Sequence, residues 1–132
     1  MEIRGTGSYL PGKIITNDDL SEVVDTNDEW ISSRTGICQR HISEGETTSE
    51  MAARAAVVAL EDAEVSPEEV ELIIVATMTG DGAMPGTACK VQKEIGAVHA
   101  ACFDLSAACT GFVFALNTAN AYLASGMYRN AL

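Results

Sequence analysis

The segment from Cys109 to about Ser125 constrains the fold more than any other part of the chain. It has a helical pattern, and its apolar side chains surround most of the helix: Phe112, Val113, Phe114, Ala115, Leu116, Ala119, Ala121 and Leu123. Such a helix is typical of a protein interior, because a surface helix keeps a polar face toward water. We therefore expect this helix to lie in the middle of the protein.

The run LIIVA at residues 72–76 predicts a sheet that helices cover on both faces. Consecutive apolar residues of this kind are typical of a parallel strand. A second short strand is predicted over residues 100–105, and a strand interrupted by glycines over residues 3–10. Helical patterns alternate with these strands, so the sequence belongs to the α/β class.

Capping signals mark where the helices begin and end. One helix would end at Gly36, and another, over residues 87–95, at Gly96. Residues 79–86 carry three glycines and a proline, which predicts an exposed loop before the second of these helices. The predicted N-terminal caps are Thr16 before a short helix reaching Val24, Thr26 with Glu29, and Thr47 with Glu50.

The composition argues against several classes of partner. The formal net charge is -11 and the pI is about 4.4, whereas binding to nucleic acid or to an anionic membrane calls for a basic patch. No apolar run is long enough to span a bilayer, and no signal-peptide pattern opens the chain. We expect a cytoplasmic protein that binds neither nucleic acid nor membrane.

The cysteines and histidines do not predict a metal site. None of the four cysteines belongs to a Cys-x-x-Cys pair, and neither His41 nor His99 has a ligand at metal-binding spacing. In an intracellular protein such cysteines stay reduced. We expect both histidines to lie on the surface or to be hydrogen-bonded locally.

Cys109 is the best candidate for a catalytic nucleophile. It stands where a short apolar run meets the helical pattern, beside small residues such as Ala108 and Gly111. A thiol in the first helical turn lies near unpaired backbone N–H groups and the positive end of the helix dipole, and both favour the thiolate. The small neighbours leave room for a substrate carbonyl. The alternative is a small, buried structural cysteine.

Several separated motifs together resemble the β-ketoacyl-acyl-carrier-protein synthase III family. They lie in the family's order from the start of the chain to its end: GTGSYLP at 5–11, DTNDEWI at 25–31, RTGI at 34–37, RHI at 40–42, MP at 84–85 and AACTGF at 107–112. The resemblance implies a thiolase-like layered αβαβα fold with a mixed sheet and a buried central helix. Because that fold needs a longer chain, we expect residues 1–132 to be its N-terminal half.

The resemblance implies an acyltransferase that initiates fatty-acid synthesis. Cys109 would attack an acyl-coenzyme A primer and hold the acyl group as a thioester, which then condenses with malonyl-acyl-carrier protein as carbon dioxide leaves. The family's catalytic histidine and asparagine belong to the expected C-terminal half, so the fragment alone would be inactive. The family acts as a homodimer, with acyl-coenzyme A as substrate and without a further cofactor.

The resemblance also assigns binding roles to four residues. Trp30 and Arg34 match positions that contact the nucleotide end of coenzyme A, and Thr26 matches a hydroxyl near the adenine. Met84 matches a position that crosses the dimer interface and closes the partner's acyl pocket. Each has a plainer alternative: a core or interface tryptophan, an exposed helical arginine, a helix cap and a loop methionine.

Two other functions stay open. One is a non-catalytic chain, either a truncated half or a half that binds a partner. The other is a related condensing enzyme of polyketide or secondary metabolism.

Overall fold

The computed structural model describes residues 1–132, which fold into two compact units. The smaller unit consists of residues 10–46, and the larger unit combines residues 1–9 with residues 47–132. The chain therefore leaves the larger unit after residue 9 and returns to it at residue 47.

The smaller unit is built on a two-stranded antiparallel ladder. Strand β1 (Lys13–Thr16) pairs with strand β2 (Gln39–Ile42) over all four residues. Helix α1 (Asn17–Ser21) follows β1 directly, and helix α2 (Asp28–Thr35) precedes β2. The sequence does not predict these strands, because each is only four residues long and neither has a clear apolar alternation.

Thr16 caps α1 as predicted. Its side chain accepts a hydrogen bond from the backbone N–H of Asp19 at 3.1 Å, and the Asp19 carboxylate accepts one in return from the Thr16 N–H at 2.8 Å. The helix ends at Ser21 and does not reach Val24 as expected.

The predicted cap of α2, Thr26, is wrong by one residue. Asn27 has an extended backbone, and its side-chain oxygen accepts a hydrogen bond from the backbone N–H of Trp30 at 2.8 Å. Asparagine is at least as good a cap as threonine, so two adjacent capping residues leave the helix start ambiguous in the sequence. The helix ends at Gly36, with a φ of 71°, as predicted.

A buried asparagine organises the smaller unit. Asn17 is 1% exposed, and its side-chain amide donates to the carboxylate of Asp28 and to the carbonyl of Ile37, both at 2.7 Å. Its side-chain oxygen accepts from the guanidinium of Arg40 at 2.6 Å. Asn17 thus connects the start of α1, the start of α2 and strand β2, and all its polar atoms have partners.

The larger unit contains the parallel sheet that the sequence predicts. Strand β3 (Leu72–Ala76) pairs in parallel with strand β4 (Ala101–Leu105). Helix α3 (Thr48–Ala63) packs on helix α4 (Thr87–Ile95), and α4 contacts both strands. Helix α5 (Gly111–Ala124) contacts the same two strands.

The main core lies between the sheet and the pair α3 and α4. Side chains alternate along a strand, so Ile73 and Val75 of β3 face this core together. The buried members of the core are Ala53, Ala56, Leu60, Val70, Ile73, Ala88, Val91, Ile95, Ala97 and Ala100.

Helix α5 packs one face on the sheet and leaves the other face open. Tyr122 contacts Phe103 of β4 edge to face, with ring centroids 6.5 Å apart, and Gly111 is buried. Phe112 and Phe114 are 71% and 53% exposed. The sequence predicts a central position for this helix. In the structure only its inner face is covered, because these 132 residues supply no layer for its outer face.

Residues 3–10 form no strand, so that prediction is wrong. They run along α3 instead: the backbone N–H of Thr6 donates to the Asp62 carboxylate at 2.8 Å. A Cβ at Gly5 would lie 2.5 Å from the carbonyl oxygen of Ala59. The glycine lets the backbone of this segment approach the helix closely. Such a close approach is a common reason for glycine in an extended segment.

Leu132 forms a parallel bridge with β3, on the edge opposite β4. Its N–H donates to the carbonyl of Leu72 at 2.9 Å, and its carbonyl accepts from the N–H of Ile74 at 3.0 Å. Both edges of β3 are therefore hydrogen-bonded at this level of the sheet.

We predict that the 132-residue chain, expressed alone, binds an apolar dye and self-associates. Phe112, Val113 and Phe114 are consecutive and more than half exposed, and monomers rarely leave so much apolar side-chain surface open. The double variant Phe112→Ser, Phe114→Ser should lower dye fluorescence and favour the monomer in light scattering. Met84→Ser is the matched control, because Met84 is exposed but stands apart on a loop. A dye-silent, monomeric wild type would contradict the prediction.

Candidate functional site

Cys109 lies on a tight turn between β4 and α5. Residues Ala108–Thr110 form a single 3-10 turn, and α5 begins at the next residue, two residues later than predicted. The hydroxyl and the N–H of Thr110 both donate to the carbonyl of Ala107, at 2.8 and 3.1 Å. These bonds close the turn that carries the thiol.

The backbone beside Cys109 is strained. Ala108 has a φ of 45°, in the left-handed region that a residue with a Cβ rarely adopts. Outliers of this kind are concentrated at functional sites, where the surrounding structure holds an unfavourable conformation. The Ala108 outlier therefore supports a functional reading of this turn.

Cys109 is exposed, whereas Gly111 beneath it is buried. A Cβ at Gly111 would lie 3.3 Å from the Cβ of Ala76 at the end of β3. The glycine thus lets α5 begin close against the sheet, and the thiol remains on the outside of the turn.

Asp104 connects β4, the strand that precedes Cys109, to α4. Its two carboxylate oxygens accept hydrogen bonds from the backbone N–H groups of Thr87 and Ala88, at 2.7 and 2.6 Å. These are unpaired donors of the first turn of α4, where a carboxylate also interacts favourably with the helix dipole. Asp104 therefore fixes the start of α4 to β4, five residues before Cys109.

The Met84 loop, defined here as residues 77–86, is anchored at its base and exposed at its tip. The hydroxyl of Thr48 donates to the carbonyl of Thr79 at 2.7 Å. The Asp81 carboxylate accepts from the N–H of Ser49 at 3.2 Å and pairs with the ammonium group of Lys90 at 3.4 Å. Met84 itself is 90% exposed.

Asp81 is the ionised anchor of this loop. Its side chain is 8% exposed. Hydrogen bonding with Ser49, and then the nearby ammonium group of Lys90, hold the pKa of Asp81 below its usual value despite the opposing effect of burial. The carboxylate therefore keeps its charge at neutral pH while it ties the loop to α3 and α4.

Trp30 and Arg34 lie together on α2 in the smaller unit. The guanidinium carbon of Arg34 stands 4.6 Å from the centroid of the Trp30 ring, which is a cation–π arrangement. The two side chains therefore lie on the same side of α2. Trp30 is 52% exposed, so it is not a core tryptophan of this unit.

The five predicted site residues divide between the two units. Cys109 and Met84 belong to the larger unit, and Thr26, Trp30 and Arg34 belong to the smaller unit. Thr26 immediately precedes the cap of α2 and is half-buried.

Sequence reasoning missed Asn17, Asp81 and Asp104. Each acts through hydrogen bonds to residues distant along the chain, and no local pattern marks it. Asp104 had one weak signal, a carboxylate at an otherwise apolar strand end, and Asp81 had none.

The remaining features add no further site to this region. Nδ1 of His41 contacts the carbonyl oxygen of Pro11 at 2.6 Å, a residue 30 positions earlier in the chain. No group of three or more histidine, cysteine or acidic side chains is arranged to hold a metal ion. No helix combines the length and the apolar content that a membrane crossing requires.

Known proteins resemble this chain over its whole length. The family model for 3-oxoacyl-[acyl-carrier-protein (ACP)] synthase III matches residues 103–132, which include β4, Cys109 and α5. The β-ketoacyl-[acyl-carrier-protein] synthase III of Clostridium acetobutylicum is 60% identical over 132 residues. That match covers 100% of this chain and 41% of the relative, so the chain spans about two fifths of the length of such relatives.

Solved structures also resemble it. The 3-oxoacyl-[acyl-carrier-protein] synthase III of Aquifex aeolicus superimposes with a TM-score of 0.91 at 50% identity, over 95% of this chain and 41% of that one. The priming β-ketosynthase of the R1128 polyketide pathway gives a TM-score of 0.88 at 41% identity, over 92% and 37% of the two chains. The two units are thus built as part of a thiolase-like α/β fold.

We predict that acid releases the Met84 loop through Asp81. Because the pKa of Asp81 is lowered in the folded state, its contribution is complete above the ordinary aspartate pKa of about 3.9 and is lost as the pH falls through the lowered value. Asp81→Asn should reduce hydrogen-exchange protection of residues 77–86 at neutral pH. The wild type should approach the variant only in strong acid.

Asp62→Asn is the matched control for this experiment. Asp62 accepts a backbone hydrogen bond from Thr6, so its loss should loosen residues 1–9 and leave the Met84 loop protected. Equal protection of residues 77–86 in Asp81→Asn and the wild type would refute the anchoring role.

Proposed function

The chain belongs to the β-ketoacyl-[acyl-carrier-protein] synthase III family, and from this premise we propose that its complete protein is the acyltransferase that initiates fatty-acid synthesis. The observation that carries the proposal is the exposed thiol of Cys109 on a turn whose neighbour, Ala108, has a φ of 45°. Residues 1–132 would be the N-terminal half of that enzyme.

Cys109 would accept the primer. Its sulfur attacks the thioester carbonyl of an acyl-coenzyme A, the coenzyme thiol leaves with a proton, and the acyl group stays on Cys109. The backbone N–H of Cys109 would help bind the thioester oxygen as negative charge develops there. The tight turn supports this step because it holds the backbone N–H of Cys109 in a fixed orientation relative to the sulfur.

The condensation would follow on the same sulfur. Malonyl-acyl-carrier protein loses carbon dioxide, and the resulting enolate attacks the acyl group and displaces the Cys109 thiolate. We assign the stabilisation of the enolate to the histidine and asparagine that the family resemblance places in the C-terminal half. Residues 1–132 alone would therefore not complete the reaction, and the reaction calls for no cofactor beyond its substrates.

Trp30 and Arg34 would bind the nucleotide end of coenzyme A. Arg34 covers one face of the indole, and Trp30 is 52% exposed, which leaves aromatic surface for an adenine ring. The guanidinium brings a positive charge to a chain of net charge -11, where phosphate groups otherwise have few partners. Thr26, next to the cap of α2, would place its hydroxyl near the adenine.

Met84 would serve the partner subunit of a homodimer. Its side chain is 90% exposed on a loop whose base is anchored to α3 and α4, so it can reach a neighbouring molecule without losing its position. We propose that it closes the partner's acyl pocket and that its flexible side chain sets the primer length. The substrates and the four free cysteines suit a cytoplasmic location.

A second candidate is the priming synthase of a polyketide pathway. The similarity to the R1128 priming β-ketosynthase favours it, and the higher identity to the Clostridium acetobutylicum protein favours fatty-acid synthesis. Both would use Cys109 in the same way. Comparing condensation rates with carrier proteins from the two pathways separates them.

We predict that Cys109→Ser abolishes acyl-enzyme formation in the protein at its full natural length. Intact mass spectrometry after incubation with acetyl-coenzyme A should show one acetyl group on the wild type and none on the variant, because a serine hydroxyl is scarcely ionised. Cys38→Ser is the matched control, since Cys38 is also exposed. Acetylation that persists in Cys109→Ser would reject the assignment, and a wild type that is never acetylated would favour the non-catalytic alternative.

We predict that Trp30→Ala weakens acyl-coenzyme A binding by about 1–2 kcal/mol through loss of the stacking surface. Calorimetry on the complete protein, with Cys109→Ala as background to prevent turnover, measures this change. Trp30→Phe should retain part of the affinity. Unchanged affinity in Trp30→Ala would remove the residue from the site, and a matching loss of thermal stability would show a structural role instead.

A further inference from the structure

Two cysteines outside the proposed site face each other across the α4–β4 contact. The Sγ atoms of Cys89 on α4 and Cys102 on β4 are 3.4 Å apart, within hydrogen-bond contact. Both side chains are half-buried, whereas Cys38 and Cys109 are exposed. The two thiols are therefore neighbours within the packed larger unit, and not two mobile surface groups that approach by chance.

Gln92 holds this arrangement in place. Its side-chain oxygen accepts from the thiol of Cys102 at 3.3 Å, and its side-chain N–H donates to the carbonyl of Ala100 at 2.6 Å. The amide thus links α4 to the backbone of β4 and keeps the Cys102 side chain turned toward Cys89. Ile73 of β3 is the partner of Cys102 in the parallel ladder.

The sulfurs need only a small movement to bond. A disulfide has an S–S length of about 2.05 Å, so closure from contact distance calls for an approach of roughly 1.3 Å. Cys89 lies in the first turn of α4 and Cys102 lies in mid-strand, and these elements are already packed together. Closure would therefore join two elements that already contact each other.

We propose that Cys89 and Cys102 are a modification site, which a peroxide-class oxidant converts to a reversible disulfide. One thiol is oxidised to a sulfenic acid while the peroxide is reduced to water, and the second thiol then displaces a second water as the S–S bond forms. In total, two thiols lose two hydrogen atoms, and one hydrogen peroxide becomes two waters. A dithiol reductant reverses the bond.

Cys102 is a neutral thiol in the folded protein at physiological pH. Burial, together with the hydrogen bond to Cys89, raises its pKa to about 11. The disulfide would join the same two elements that Asp104 joins at the start of α4.

The test is peptide mapping on the protein at its full natural length. The fully reduced protein is exposed to a graded excess of hydrogen peroxide, free thiols are blocked with N-ethylmaleimide, and tryptic peptides are analysed without reduction. Lys90 and Lys93 lie between the two cysteines, so trypsin places Cys89 and Cys102 on separate peptides. Cys109 shares the tryptic peptide of Cys102, so a second digestion that cleaves before Asp104 separates Cys102 from Cys109 and identifies the partner of Cys89.

We expect one linked pair of peptides, Cys89 with Cys102, and a loss of two free thiols that dithiothreitol restores. Cys102→Ser should abolish the linked peptide, whereas Cys38→Ser should leave its yield unchanged. Gln92→Leu should reduce the yield several-fold, because the Cys102 side chain is no longer held toward Cys89. The same treatment in urea should give scrambled pairs.

Two outcomes would overturn the proposal. One is the absence of the linked peptide at a peroxide dose that already oxidises Cys109. The other is pairing of Cys89 or Cys102 with Cys38 or Cys109 in the folded protein. Both readouts are independent of acyl transfer, so they test the disulfide separately from the proposed enzymatic function.

Discussion

The parallel pairing of β3 with β4 is the contact on which the candidate site depends. It brings the carboxyl ends of both strands to one edge of the sheet, where the N–H of Thr77 bonds the carbonyl of Leu105 at 3.2 Å. From this edge one strand continues into the Met84 loop and the other into the turn of Cys109. Ligands of open α/β sheets commonly bind beyond the carboxyl ends of strands, and the exposed thiol stands at such an edge.

The sequence predicted the elements that strong local signals define. The continuous apolar run at 72–76 matches β3 residue for residue, and the helix predicted over 87–95 matches α4, with Gly96 ending it at a φ of 78°. The capping box of Thr47 with Glu50 starts α3 as expected. In each case the information lies within a few neighbouring residues, so no knowledge of the tertiary contacts was needed.

Elements that depend on distant partners were missed or misplaced. The strands β1 and β2 are defined by each other and by the buried polar network around Asn17, and none of these leaves a local pattern. Residues 3–10 alternate like a strand but have no neighbouring strand, and they follow α3 instead. The residues of the candidate site follow the same rule. The local motif indicated Cys109. Asp104 and Asp81 were missed because they hold the surrounding elements through hydrogen bonds to residues distant in the sequence.

The open face of α5 connects the stability of the fold to the geometry of the site. Burying a phenylalanine contributes about 1.5–3 kcal/mol, so covering Phe112 and Phe114 is worth a substantial part of a domain's net stability. That gain belongs only to a folded state with a further layer over α5, which we assign to the proposed C-terminal half. Cys109 precedes this helix by two residues. The β3–β4 sheet therefore fixes the thiol from one side, and a layer over Phe112 would fix the same helix from the other. Substitutions on the outer face of α5 should then disturb both folding and the proposed acyl transfer.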